Sequence, residues 1–137
     1  MNSFYWLLVV LGVATLFGLW RRHNEGRTRV DTHHAVVTAR ELGHPLGRGA
    51  TLLQFSSAFC APCRTTKVVL NKTARAIDGV THIEIDAESH LELVRRLDVR
   101  KTPTTLILNA NGVVTNRAVG VPKADELLAV LASLIGK

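Results

Sequence analysis

Cys60-Ala61-Pro62-Cys63 places the only two cysteines of this 137-residue chain three positions apart, at a change of pattern. Ala50–Phe55 before them reads as a buried strand, and Ala61–Ala76 holds no Gly and no Pro beyond Pro62. Two thiols so spaced at a strand-to-helix junction share one face of the first helical turn, where they can form and break a mutual disulfide. A helix N-terminus carries unpaired N–H groups and partial positive charge, which favour thiolate over thiol. A cysteine there drops from a pKa of about 8.5 to somewhere between ~3.5 and ~7.5. Pro62 suits the first turn, which needs no N–H from it. Zinc ordinarily takes four ligands, and the chain offers no second cysteine pair; His33 and His34 are adjacent, which is not ligand spacing. An inert structural disulfide closing so small a loop would constrain the unfolded chain little. Redox chemistry without a bound metal is the expectation.

The first thirty residues set a second constraint. Phe4–Trp20, FYWLLVVLGVATLFGLW, is uncharged. As a helix it is about 25 Å long, slightly short of a ~30 Å hydrocarbon core. Tyr5, Trp6 and Trp20 lie near its ends, where amphipathic rings prefer the headgroup level. A cleaved signal peptide would want a basic start and a small-x-small exit, and Leu19-Trp20-Arg21-Arg22 is a poor one. The expected organisation is a short tail over 1–3, a transmembrane helix over 4–20, a basic linker over 21–32 and a folded domain over 33–137. Arg21, Arg22, Arg27 and Arg29 against Glu25 make the flank after the span strongly basic. Such flanks stay cytoplasmic, so the domain is expected on the cytoplasmic face of the cell membrane, with the extracytoplasmic face as the alternative. This cluster also supplies half of the net charge of +6 and attracts anionic lipid, so membrane lipid is an expected partner of residues 4–29. The other basic residues are scattered without interleaved aromatics, which argues against nucleic acid.

Further along, Ala35-Val36-Val37 reads as a short strand, and Thr38 with Glu41 as a capping box opening a brief helix. His82–Ile85 alternates as a strand, Leu91, Leu93, Val94 and Leu97 mark a short amphipathic helix, and Thr104–Leu108 is another strand. Asn109-Ala110-Asn111-Gly112 before Val113–Thr115 predicts a hairpin. A last helix starts near Pro122 or Lys123. The order implies a central mixed sheet with helices on both faces.

These residues resemble the thioredoxin family over roughly Val30–Lys137. The resemblance rests on a strand over Thr51–Ser57 feeding the cysteine pair, aromatic Phe59 before Cys60, Thr102-Pro103-Thr104, and Gly120 before the last helix. It implies a thioredoxin-like α/β fold with a cis Pro103 facing the disulfide. Three positions depart from the family's pattern. The usual buried acid falls on Gln54, which cannot accept a proton; the usual Trp before the motif is Phe59; and the proline inside the active-site helix is replaced by Val68. Gln54 reads first as a core amide satisfied by hydrogen bonds. His82, on the adjoining strand, is a candidate substitute proton acceptor.

The implied function is a membrane-anchored protein disulfide oxidoreductase that reduces or isomerises its substrates. Cys60 attacks and Cys63 resolves, with Phe59, Ala61, Pro62 and Gln54 supporting the pair. Thr102 and Pro103 present backbone to an extended substrate segment. No cofactor is expected beyond the Cys60–Cys63 disulfide; the partners are protein disulfides and a separate electron donor such as a thioredoxin reductase. With no cation between the cysteines, the pair suits a reductant or isomerase better than a strong oxidant. Two alternatives stand beside it: an extracytoplasmic thiol reductase for apocytochrome or exported proteins, and a redox-inactive membrane-tethered adaptor.

Overall fold

The computed structural model describes residues 1–136. Its elements run α1 (Asn2–Asn24), β1 (Thr28–Val30), α2 (Ala39–Leu42), β2 (Ala50–Ser56), α3 (Ala61–Ala76), β3 (Val80–Asp86), α4 (Leu91–Arg96), β4 (Thr104–Asn109), β5 (Val114–Val119) and α5 (Ala124–Ile135). Every residue of β2 is buried, because the strand is central and both its faces are covered. The sheet order is β1-β5-β4-β2-β3, with β2 parallel to β3 and antiparallel to β4. Leu53 and Phe55 point into a core shared with Leu42 of α2, Leu93 of α4 and Leu97 just after it. Ala50 and Leu52 point the other way, against Leu70 of α3 and Leu127 and Leu131 of α5. Gln54 follows the parity of Ala50 and Leu52, which puts it beneath α3. The expected mixed sheet with helices on both faces is therefore present.

Local signals account for most element boundaries. Thr38 Oγ1 accepts the Glu41 N–H at 3.3 Å while Glu41 Oε2 accepts the Thr38 N–H at 2.8 Å, completing the capping box. β3 begins one residue after Gly79, whose φ of +83° lets the chain reverse from α3 into the sheet. With no proline at Val68, α3 runs unbroken over 16 residues.

Three expectations are corrected. Ala35-Val36-Val37 is not a strand; Val36 makes one isolated bridge to Val113, and Val37 is held by its N–H to Gly112 O. The stretch 21–32, expected as a linker, is structured. Its first residues finish α1, and Thr28–Val30 pairs antiparallel with Asn116–Ala118 of β5. That edge is fixed by Arg117, whose guanidinium grips Asp31 at 2.9 Å and also donates to the carbonyls of Leu97 and Asp98. Burial works against an ionised Asp31, but the His33 N–H and the Arg117 guanidinium outweigh it and hold the carboxyl below its ordinary range. Finally, β5 extends to Val119, well past the expected Thr115.

α1 is longer than the apolar run alone implies. Its 23 residues make it long and apolar enough to cross a membrane, and none of them is buried against the domain. At ~1.5 Å per residue it measures about 35 Å, and the residues added at its two ends, Asn2, Ser3, Arg21, Arg22, His23 and Asn24, are polar or charged.

Candidate active site

β2 ends at Ser56, and Ser57-Ala58-Phe59 carries the chain over the sheet edge into α3. Cys60 is the N-cap, with extended backbone (φ −128°, ψ 95°). Its Sγ accepts the N–H of Cys63 at 3.2 Å, the service an Asp or Ser oxygen usually performs at this position. Pro62 sits in the first turn. The two cysteines are joined, Sγ to Sγ, with Cα atoms 5.2 Å apart. They differ in access: Cys60 is half-buried, whereas Cys63 is only 4% exposed. Phe59 stands wholly in solvent.

Thr102-Pro103, a cis peptide, faces this turn across the groove. Ser57 and Thr102 share a hydroxyl–hydroxyl bond of 2.9 Å that ties the loop before the cysteines to the loop before the proline. Gly120, at φ +88°, donates its N–H to Pro103 O at 2.9 Å. A groove of about 500 Å³ opens here, lined by Pro62, Thr102, Pro103 and Gly120 and reaching Arg22 and Glu25 at the end of α1.

Beneath α3, Gln54 is fully buried and fully used. Its Nε2 donates to Cys63 O and to Ser56 Oγ, both at 2.9 Å, and its Oε1 lies 2.9 Å from His82 Nε2. A carbonyl only accepts, so Cys63 O fixes which end of the amide faces it. Gln54 Oε1 is then an acceptor too, and His82 Nε2 must carry the proton. Burial first, and the nearby Lys67 charge second, lower the His82 pKa to about 4, so the ring is neutral near pH 7 and Nδ1 is bare. Nδ1 lies 3.0 Å from the Asn71 amide oxygen, so neutrality calls for a half-turn of that amide to present its nitrogen. The expected core role of Gln54 thus fits the geometry. The expectation of His82 as a proton acceptor does not: its inward nitrogen is a donor, and it meets Gln54 rather than a sulfur.

Of the residues singled out from sequence, the structure brings Pro62, beside the cysteines, together with Thr102 and Pro103 across the groove and places Gln54 beneath α3, whereas Phe59 points into solvent and His82 lies behind Gln54. Those not anticipated are Ser57, Ser56 and Asn71. Their only signal was polarity beside the motif or on the helix flank.

The thioredoxin family model matches residues 35–133. Thioredoxin from Chlamydia trachomatis is 28% identical over 97 residues, covering 71% of this chain and 94% of that protein. Bovine mitochondrial thioredoxin is 31% identical over 86 residues, 62% of this chain and 51% of its own length. Among solved structures, spinach chloroplast thioredoxin f aligns with a TM-score of 0.55 at 27% identity, over 64% of this chain and 78% of that one. A mutant thioredoxin from Halobacterium salinarum aligns at 0.57 and 24% identity, over 64% and 76%, and shares the fold. The chain belongs to the thioredoxin family of disulfide oxidoreductases.

Proposed function

We propose that the protein is a membrane-anchored thiol–disulfide reductase or isomerase acting on protein disulfides close to the cytoplasmic membrane face. The observation that carries the redox part is the unequal exposure of Cys60 and Cys63 on one helical turn. In the dithiol form, the Cys60 thiolate attacks a substrate disulfide and forms a mixed disulfide, expelling one substrate thiolate. Cys63, held behind it, attacks Cys60 Sγ and releases the second. Two electrons pass to the substrate, and the protein is left with its Cys60–Cys63 disulfide. A separate dithiol donor returns it to the reduced form. The Thr102 backbone, just before cis-Pro103, is the strand-like edge on which an extended substrate segment would add. Ala61 and Pro62 place no cation between the sulfurs, which favours a reducing pair over a strong oxidant. The anchor part rests on the exposed apolar surface of α1 and its basic flank.

The test is reduction of insulin by the full chain in detergent. Cys60→Ser abolishes turnover, and Cys63→Ser accumulates mixed disulfides with substrate. Retention of activity by both single variants would overturn the mechanism.

A further inference from the structure

The last turn of α1 borders two cavities. One is the active-site groove; the other, of about 430 Å³, adjoins it, and the two share Glu25, Lys101 and Val119. Five cations line the second cavity, Arg21, Arg27, Arg29, Lys101 and Arg117, against the single carboxylate of Glu25. Arg21 is paired with Glu25, and Arg117 is committed to Asp31. Among the described residues, Arg27, Arg29 and Lys101 have no carboxylate within ion-pairing distance. They come from three different places: the exit of α1, strand β1 and the loop before Thr102. The fold therefore gathers like charges that repel one another until an anion enters. Trp20 lines the same cavity, and an indole at a span's end sits at headgroup depth.

We propose that this cavity binds the phosphate of an anionic phospholipid headgroup, and that the bound lipid holds the active-site groove at the bilayer surface. This rests on the anchor reading above, which puts the cavity at the level of lipid phosphates. It goes further than general attraction of a basic flank to an acidic surface, because it requires Lys101, far along the chain and next to the substrate-facing proline. A diffuse flank effect would depend on the arginines following α1 and ignore Lys101.

The experiment uses the full chain carrying Trp6→Phe, which leaves Trp20 as the only indole. It is reconstituted in phosphatidylcholine vesicles containing equal mole fractions of brominated phosphatidylglycerol or brominated phosphatidylcholine. Trp20 fluorescence is quenched several-fold more efficiently by the brominated anionic lipid. Lys101→Gln lowers that preference up to about fivefold, as Arg27→Gln and Arg29→Gln do, whereas Arg29→Lys keeps it. Inorganic phosphate, against chloride at matched ionic strength, leaves the preference intact. Equal quenching by the two lipids overturns the headgroup site while leaving the anchor standing; a preference indifferent to Lys101→Gln also overturns the site. Abolition by inorganic phosphate would make it a free-phosphate site. Absence of quenching by either lipid would overturn the anchor and the site together.

Discussion

Gln54 is where this chain departs furthest from a proton-accepting site, and its surroundings explain how a buried amide is stable there. Both polar atoms of its side chain are paired, Nε2 with Cys63 O and Ser56 Oγ and Oε1 with His82 Nε2. Removing such a partner leaves a desolvated group unpaired, at about 1–3 kcal/mol for each. His82 makes the arrangement pH-dependent. Its pKa falls from 6.5 to about 4 on folding, so between those values the unfolded chain binds more protons than the native one. Stability then rises with pH across this window and is lost as pH falls from about 6.5 towards about 4. Asp31 and Glu41, whose carboxyls are lowered from 3.8 and 4.5, lose their contributions chiefly at the acid end and below. Urea midpoints measured across the upper half of the His82 window isolate its effect. The native chain loses stability there, and His82→Gln flattens the slope. An unchanged slope in the variant would assign the acid sensitivity elsewhere.

At the scale of elements, β1 is an edge segment held by polar contacts from outside the strand: the Thr28 N–H donates to Glu126, and Asp31 just past it pairs with Arg117. It is three residues long, at the sheet edge, with largely exposed side chains, so it has little apolar burial of its own. Arg117 joins Asp31, just past β1, to the carbonyls after α4. Arg117→Met leaves Asp31 buried and unpaired, and the expected cost is on the order of 3 kcal/mol. Asp31→Asn in the same chain should restore part of it, and thermal or urea unfolding of the single and double variants reads both effects. If the single variant loses less than a few tenths of that, the contact is not what holds the edge. This strand also shows why some of the fold was hidden in sequence. β2, α3, the capping box and the hairpin carry local signatures: a buried run, a proline in the first turn, Thr38 with Glu41, Asn111-Gly112. Thr28–Val30 has none, since its partner Ala118 lies far along the chain and its composition is polar. Val36 and Val37 mislead in the opposite direction; they are apolar because Val37 fills the core, not because they extend a ladder. The cysteine pair, Pro103 and Gln54 were legible as residue types with fixed neighbours. The Ser57–Thr102 and Asn71–His82 bonds were not, because only the folded chain brings those groups together.

For the whole molecule, the decisive relation is between the apolar helix and the face that carries the cysteines. Gly26, at φ +77°, packs so closely on the end of β5 that an added Cβ would meet Val121 O at 1.9 Å, and its N–H donates to Val119 O at 2.8 Å. Lys123 Nζ reaches back to His23 O at 3.4 Å, a second, exposed contact between the exit of α1 and the domain. With α1 in a bilayer, the active-site groove is then close to the membrane, and the side it faces decides which disulfides it meets. Arg21, Arg22, Arg27 and Arg29 follow the apolar stretch, and the proposed cytoplasmic placement of the domain rests on that basic flank. Reporters fused at the carboxy terminus, one active only inside and one only outside, test this directly, and the inside reporter is expected to respond alone. Signal from the outside reporter alone would replace the cytoplasmic reading with reduction of exported thiols. Moving the charge of Arg21 and Arg22 to Asn2 and Ser3 should weaken or invert the orientation. If the reporters do not respond to that exchange, these arginines do not set it, and the docked domain itself becomes the determinant to examine.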